Sequence, residues 1–247
     1  MKTFRADLHI HTVLSPCGDL DMSPVNIISR AREMKLDIIG ITDHNSTLQA
    51  RLLRELGEKA GIMVIPGAEV TTKEEVHCLA LFDNEGDTAS FQEFLELHLP
   101  EIPNDINRFG HQLVVDENDM IVRTEEKLLI SALDCSIEVV ADVIHRLNGL
   151  FIPAHIDKQR FSILIQLGFV PADLAVDALE ISPFSRLKKF SQLHSELSHY
   201  SFISNSDAHY LNEIGRVCNV FEMENASLDE IRKTFKGIGG RKSAIVN

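Results

Sequence analysis

Histidines and carboxylates stand at the ends of short apolar runs in this sequence, and such residues are common ligands of divalent metal ions. His9 and His11 lie two residues apart in one run, so on a β-strand both side chains leave the same face and can converge on one ion. Other runs begin with, end in or are followed by Asp43, His44, Glu69, His77, His155, Asp207 and His209. Buried imidazoles and carboxylates are costly unless they are paired or bound to a metal. The set as a whole therefore predicts a metal centre.

Each of these residues has a plainer interpretation when it is considered alone. A single histidine beside an apolar run, such as His77 or His155, is more often a hydrogen-bonded core residue than a ligand. The metal interpretation rests on the repeated placement at equivalent strand ends. Other histidines lie in a presumed insertion or on helical segments, where we expect solvated or capping roles: His98, His111, His145, His194 and His199.

Seven apolar runs rich in Val, Ile and Leu alternate with helical segments along the chain. They span residues 6–11, 37–43, 63–70, 76–82, 150–155, 178–181 and 202–207. This alternation predicts an α/β fold, with βα units around a mostly parallel sheet, and it is closer to a barrel than to any other fold. The 247 residues suffice for one such domain over residues 1–247. In α/β barrels the C-terminal strand ends face the active-site mouth, where the polar residues would meet.

Signals for helix ends are found between the predicted strands and near the C-terminus. Ser23 followed by Pro24 can begin a helix, and Gly61 can end the next one in a left-handed conformation. Ser227 and Glu230 form the sequence pattern of a capping box. These signals favour helices in the connections, as a βα architecture requires.

The interval 83–148 is too long for a simple connection between two strands and predicts an insertion. Within it, residues 113–115 and 121–123 flank a turn-like segment and predict a hairpin. Apolar residues between 139 and 147 predict a helix at the end of the insertion.

Composition limits the classes of function. A hydrophobic fraction of 44% and a charged fraction of 25% are typical of a globular protein. The formal net charge of -13 argues against an extended basic surface for nucleic acid, although a local site can still bind a phosphate. The 4 cysteines lack CxxC spacing and are expected to be reduced thiols. No signal-like segment or run of about 18 apolar residues is evident, so we expect a cytoplasmic protein without a membrane partner.

Several segments, taken in their order along the chain, resemble the polymerase and histidinol phosphatase (PHP) family. They are His9-Ile10-His11-Thr12, Thr42-Asp43-His44-Asn45, Pro66-Gly67-Ala68-Glu69, His77, Pro153-Ala154-His155 and Ser206-Asp207-Ala208-His209. The segment that begins at Thr42 is the most specific, because a lone HxH pair is shared with amidohydrolases and TatD-type nucleases. The resemblance implies a distorted seven-stranded (β/α) barrel with the insertion between strands four and five. It also implies two to three divalent ions (zinc, manganese or iron) and hydrolysis of phosphate esters.

The resemblance further implies which residues hold each ion. The first ion would be held by His9, His11, Glu69 and Asp207. The second would be held by Glu69, His77 and His155, and the third by His44 and His209. Relatives add a ligand shortly after the HxH segment, and for that position we choose Asp19, with Asp21 and Cys17 as alternatives.

Imidazoles are neutral and the carboxylates are few, so the bound ions would leave a positive local charge that favours a phosphate dianion. We expect a hydroxide that bridges two ions to attack a small phosphomonoester, such as a nucleotide or a sugar or amino-alcohol phosphate. His155 or His209 could instead protonate the leaving oxygen. Asp43 is expected to orient His44 or to shape the pocket.

Three basic residues beyond the strands are candidates for substrate contacts: Lys158, Arg160 and Arg186. Each is equally compatible with an ordinary surface cation. Two other functions remain open, namely a PHP or TatD-like exonuclease acting on short oligonucleotides and a non-catalytic metal-binding PHP module. The sequence leaves the oligomeric state open.

Overall fold

The computed structural model describes residues 1–185 and 187–246, which form a mixed α/β fold. The strands are β1 (Lys2–Ile10), β2 (Ile38–Ile41), β3 (Met63–Thr71), β4 (His77–Leu81), β5 (Leu113–Val115), β6 (Ile121–Thr124), β7 (Leu150–Pro153), β8 (Leu179–Ile181), β9 (Phe202–Ser204), β10 (Cys218–Met223) and β11 (Lys242–Val246). The helices are α1 (Pro24–Glu33), α2 (Ala50–Ala60), α3 (Glu85–His98), α4 (Ile106–Phe109), α5 (Ile137–Arg146), α6 (Ile163–Gln166), α7 (Leu187–Leu193) and α8 (Leu228–Phe235). The largest sheet has seven strands in the spatial order β11-β10-β1-β2-β3-β4-β7.

The strand directions in this sheet bring one end of five strands to a common edge. β1, β2 and β3 run parallel, so their C-terminal ends lie together. β4 is antiparallel to β3, and β7 is antiparallel to β4, so the start of β4 and the end of β7 lie at the same edge. The sequence predicts a mostly parallel sheet, whereas the observed sheet is mixed, since β10 also pairs antiparallel with β1 and β11. Because β4 runs antiparallel to β3, His77 lies at the start of its strand, whereas the other polar residues lie at or after the ends of theirs.

The predicted strands are all present, as β1 to β4 and β7 to β9, but the last two lie outside the seven-stranded sheet. β8 and β9 form a parallel pair of their own. The position next to β1 is instead taken by β10, and β11 pairs with β10 at the edge of the sheet; neither strand is among the predicted ones. Beyond β9 the chain returns to β1, where the His11 N–H donates to the carbonyl of Ala208 at 3.0 Å. This contact brings the segment that carries Asp207 to the end of β1.

Two predicted helix ends are observed and a third differs. α1 begins directly after Ser23, and α2 ends at Gly61 in a left-handed conformation with φ of 73°. Glycine adopts that conformation without steric strain. At the start of α8, Ser227 accepts a hydrogen bond from the Glu230 N–H. The Glu230 carboxylate binds the guanidinium of Arg241 instead of completing the capping box, because a charge-assisted pair is the stronger interaction.

The segment between β4 and β7 contains α3, α4, α5 and a hairpin. β5 and β6 pair antiparallel where the sequence predicts the hairpin, with an irregular register between Val114 and Val115. α3 packs on the sheet through Phe91, whose ring centroid lies 4.8 Å from that of Phe82. Both rings are fully buried, so this pair fixes the start of the segment to the core.

Candidate metal centre

Polar side chains from separate parts of the chain meet at the common edge of the sheet. They are His9, His11, His44, Glu69, His77, His155, Asp207 and His209. Asp207 and His209 are partly buried, and the others are buried. The strand ends thus bring together eight of the nine residues predicted as ligands.

The four residues predicted to hold the first ion surround one point. His9 Nε2 lies 3.2 Å from His11 Nε2, 3.5 Å from Glu69 Oε1 and 3.4 Å from Asp207 Oδ1. His11 Nε2 lies 3.4 Å from Glu69 Oε2 and 3.6 Å from Asp207 Oδ1. Both imidazoles leave β1 on one face, as their spacing predicts.

Glu69 joins this group to a second one. Its Oε1 atom lies 2.9 Å from His77 Nδ1 and 2.9 Å from His155 Nε2. Glu69 lies on β3 and His77 on the antiparallel neighbour β4, with His77 paired to Thr71. His155 follows the end of β7. One carboxylate is therefore placed to bridge two sets of imidazoles.

His44 and His209 lie near each other, and His11 is their common neighbour. One ring nitrogen from each of the three histidines can be chosen so that all lie within 4.8 Å of one another. The ring centroids of His11 and His209 are 4.1 Å apart, and those of His11 and His44 are 4.6 Å apart. The predicted third pair is thus found beside the first group.

This donor set fits divalent cations. His9 Nε2 and His11 Nε2 face each other at 3.2 Å, where only one of them can donate a proton to the other, whereas a cation can bind the lone pairs of both. The Nδ1 atoms of His44 and His155 are buried and have no hydrogen-bond partner among the described residues. A buried nitrogen without a hydrogen-bond partner is unfavourable. A cation bound to His44 Nδ1, which faces Glu69, would give that nitrogen a partner.

The two carboxylates of the centre are held in the ionised form. Burial alone would raise the pKa of Glu69, but His77 and His9 outweigh it and keep that pKa well below its usual range. Burial likewise acts to raise the pKa of Asp207, and His9 and His11 bring it well below its usual range. Ionised carboxylates are the form that a metal ion requires.

Glu180 on β8 supports the centre and is not among the predicted site residues. Both of its carboxylate oxygens lie 3.1 Å from His9 Nδ1. The same carboxylate accepts hydrogen bonds from the Asn205 side chain at 2.7 Å and from the His155 N–H at 2.9 Å. It therefore fixes the ring of His9 with Nε2 directed at the centre. A carboxylate inside a predicted apolar strand is the sequence signal that could have found it.

Asp43 is linked through Ser15 to His11 as well as to its sequence neighbour His44. Its carboxylate accepts hydrogen bonds from the Thr12 N–H at 2.7 Å and from the Ser15 hydroxyl at 2.7 Å. Ser15 Oγ in turn lies 2.9 Å from His11 Nδ1. Asp43 thus orients His11 through Ser15, and the N–H of its sequence neighbour His44 donates to the same Ser15 Oγ at 3.2 Å.

The residues considered for the additional ligand lie in the loop after β1. Asp19 donates its backbone N–H to the carbonyl of His209 at 2.9 Å, which places it beside the third pair. Its carboxylate accepts from the Asp21 N–H at 2.9 Å. Cys17 is exposed. In the part of the chain that the structure describes, none of the three joins a cluster of candidate ligand atoms, so the additional ligand stays a prediction.

A cavity of about 400 Å³ opens onto the centre. Lys158, Gln159, Arg160 and Phe161 form one wall, and the Lys158 ammonium binds the Asp207 carboxylate. Two of the predicted substrate contacts therefore lie at the cavity. The third, Arg186, lies outside the described residues.

The backbone is strained at two of the candidate ligands. His155 has φ of 31° and Asp207 has φ of 51°, in the left-handed region that residues with a Cβ rarely adopt. Such strain is retained where the surrounding structure fixes it, and it occurs often at functional sites.

Three of the histidines that we set aside have partners away from the centre. His145 Nε2 lies 2.9 Å from Asp177, while His194 and His199 contact Glu196. No helix in residues 1–185 or 187–246 is long and apolar enough to cross a membrane.

Comparison with known proteins shows the family. The profile of the PHP domain matches residues 7–156, and that of the PHP-associated domain matches residues 196–237. The Bacillus subtilis protein YqxK is 26% identical over 98% of this chain and 64% of its own length.

Solved structures show the same fold. The lesion-specific endonuclease PfuEndoQ from Pyrococcus furiosus superposes with a TM-score of 0.73 and 24% identity over 98% of this chain. A complex of Endonuclease Q with a 27-mer duplex that has an abasic lesion at the active site gives a TM-score of 0.72 and 23% identity, also over 98% of this chain. This chain spans 58% of each of those two chains. Since the PHP profile alone covers more than half of the sequence, the chain belongs to the PHP domain family.

Proposed function

We propose that this chain is a metal-dependent phosphoester hydrolase with its ions at the metal centre. The observation that carries the proposal is the surrounding of Glu69. Within 3.5 Å of its two oxygens lie imidazole nitrogens of His9, His11, His44, His77 and His155. A single buried carboxylate needs far fewer hydrogen-bond partners than five imidazoles. Cations bridged by this carboxylate would each need further ligands, and the five imidazoles can supply them.

The ligand assignment follows the three groups of side chains. The first ion is assigned to His9, His11, Glu69 and Asp207, the second to Glu69, His77 and His155, and the third to His44 and His209 with Asp19 as the added ligand. Zinc, manganese and iron all suit an imidazole-rich set with carboxylates. Bound divalent ions supply Lewis-acid activation of water and stabilise charge on the phosphoryl oxygens.

The chain's own cations bind and orient the phosphate group in this proposal. Burial alone would lower the pKa of Lys158, but Asp207 outweighs it and raises that pKa, so the ammonium is charged at neutral pH. Arg160 lies on the same wall of the cavity and is the second candidate. Two cations at one wall can make charge-assisted hydrogen bonds to a phosphate dianion. Arg186 remains a predicted contact.

His209 suits the role of ligand better than that of proton donor. Burial and the neighbouring His11 lower its pKa to about 4, so near neutral pH its ring carries no additional proton to give to a leaving oxygen. His155 stays a candidate proton donor only as the alternative to its assignment as a ligand of the second ion, because a ring nitrogen that binds a cation has no proton to give. The final step would leave the alcohol protonated and the phosphate bound beside Lys158.

We infer that a small phosphomonoester is the first candidate substrate, because a cavity of about 400 Å³ is of the size that encloses a mononucleotide or a sugar phosphate. Cleavage of nucleic acid is the second candidate. It is supported by the likeness of the fold to Endonuclease Q over 98% of this chain. The net charge of -13 disfavours tight binding along a long polymer. The same likeness supports the predicted (β/α) barrel with its insertion.

A substrate panel tests the proposal. The purified chain is supplied with Mn²⁺, Zn²⁺ or Fe²⁺ and offered mononucleotides, sugar phosphates, short oligonucleotides and a duplex with an abasic site. We expect phosphate release from a monoester, lost in His11→Ala and retained in the control His145→Ala. Cleavage of the oligonucleotides alone would select the second candidate. No hydrolysis of any substrate with any of the metals would contradict the proposal.

A further inference from the structure

We propose that His98, Asp134 and Cys135 form a second metal site that binds a zinc-like ion away from the metal centre. His98 is the last residue of α3, and Asp134 and Cys135 lie in the segment that precedes α5. None of the three lines the cavity at the metal centre. The proposed site would therefore tie the end of α3 to the start of α5.

The ligand atoms are already gathered. One atom from each of the three side chains can be chosen so that all lie within 4.8 Å of one another. His98 Nδ1 lies 2.7 Å from Asp134 Oδ1, and Cys135 Sγ lies 3.5 Å from the same oxygen. Two hydrogen-bond donors thus point at a single carboxylate oxygen. An ion at this position would bind the imidazole, the carboxylate and the thiolate together, and the thiol proton would pass to solvent.

The backbone holds these residues in place without the ion. The Asp134 N–H donates to the carbonyl of His98 at 3.2 Å, and the Cys135 carbonyl accepts from the Lys73 N–H at 2.8 Å. The Leu133 N–H donates to the carbonyl of Thr71 at 2.9 Å. The segment is thus fixed both to α3 and to the end of β3. Because the ligands need little reordering, ion binding would lose little conformational entropy.

Exposure and charge also suit a cation. Cys135 is 7% exposed, whereas the Asp134 side chain is 74% exposed and that of His98 is 27% exposed. An ion can therefore arrive from solvent and keep a water molecule as its fourth ligand. The site also lies at the C-terminal end of α3, where the helix dipole favours positive charge.

The donor atoms select the class of ion. A thiolate, an imidazole and one carboxylate suit Zn²⁺ or Co²⁺, while Mg²⁺ and Ca²⁺ require a shell made of oxygen atoms. The metal centre differs in this respect, because its assigned ligands include no sulfur. This difference allows the two sites to be distinguished by spectroscopy.

Titration of the reduced full chain with Co²⁺ tests the site. A thiolate bound to Co²⁺ gives an intense near-ultraviolet charge-transfer band, which imidazole and carboxylate ligands do not give. We expect one such band in the wild type, with a stoichiometry of one Co²⁺ per chain for that band. It should be lost in Cys135→Ser, and the affinity read from it should fall at least about tenfold in Asp134→Asn. Asp134 is exposed, so this variant keeps its fold even if Cys135→Ser does not.

Cys17→Ser is the matched control, because Cys17 is the exposed thiol near the metal centre. The band should persist in that variant with unchanged affinity. A wild-type chain without the band would overturn the proposal. A band that survives in Cys135→Ser, that disappears in Cys17→Ser, or that has the same affinity in Asp134→Asn would overturn it as well.

Discussion

Replacing Glu180 by glutamine tests whether a buried carboxylate behind His9 sets the geometry of the metal centre. Glu180 accepts hydrogen bonds from Asn205 and from the backbone N–H of His155, and it contacts His9 Nδ1 with both oxygens. Every one of these partners can donate. Glutamine has nearly the same shape but presents one amide NH₂, which must face one of the donors.

The size of the effect follows from these contacts. Loss of a hydrogen-bonding group behind a metal-bound histidine weakens metal affinity by about 10-fold to 100-fold, or about 1.4 to 2.7 kcal/mol. One buried donor left without an acceptor lowers the free energy of unfolding by about 1 to 3 kcal/mol. We therefore expect Glu180→Gln to weaken metal binding and to lower stability together.

A competition titration against a chelator measures metal affinity, and urea unfolding measures stability. Glu230→Gln is the matched control, since Glu230 is also a buried carboxylate (3% exposed, against 1% for Glu180) but binds Arg241 in the C-terminal part of the sequence. It should lose stability and keep the metal affinity of the wild type. Equal metal affinity in Glu180→Gln and the wild type would refute the role that we give to Glu180.

Three further predictions concern the substrate, the protons and the core. Lys158→Met should raise KM for a phosphoester about tenfold or more with a much smaller change in kcat, as steady-state kinetics would show, and an unchanged KM would exclude Lys158 from phosphate binding. Burial alone would lower the pKa of His9, but Glu180 and Asp207 outweigh it and hold that pKa well above its usual range. Metal binding must then displace a proton from His9, so the affinity for metal should rise with pH below that pKa. Calorimetry in different buffers should show proton release near pH 7, and binding without proton release would contradict this prediction. Phe82→Ala should lower the free energy of unfolding by about 3 to 5 kcal/mol in urea titrations, because it empties a fully buried site beside Phe91, and a loss under about 1 kcal/mol would show that the core refills it.

The cluster of candidate ligands could be predicted from sequence because the signal of each residue is local. A histidine or carboxylate at the end of an apolar run is visible in a few residues, and the repetition at several strand ends predicts one common edge. His9 and His11 meet at one point because a two-residue spacing fixes a common face on β1. Glu69 and His77 meet because their strands are neighbours.

The supporting contacts could not be predicted because they depend on strand pairing between distant segments. Glu180 reaches His9 because β8 lies beside the end of β7. The local sequence of β7 or of β8 does not indicate which strands are neighbours. Asp43 is adjacent to His44 in sequence, which suggests that partner, while the turn after β1 brings Ser15 between Asp43 and His11.

The two outer strands β10 and β11 were not predicted, for a similar reason. β10 pairs antiparallel with β1 and with β11, so both strands lie outside the βα rhythm on which the strand prediction relies. β8 and β9 are observed where two strands are predicted, but they pair with each other outside the seven-stranded sheet. A local pattern contains no information on which sheet a strand joins.

Anomalous X-ray diffraction from crystals soaked in Mn²⁺ tests most directly whether these side chains bind ions. We expect at least two anomalous peaks within ligand distance of the Glu69 carboxylate, one also contacting His9 Nε2 and His11 Nε2 and one also contacting His155. Crystals of Glu69→Gln should lose the second of these peaks. Fully soaked wild-type crystals with no peak between His9, His11 and Glu69 would contradict the account.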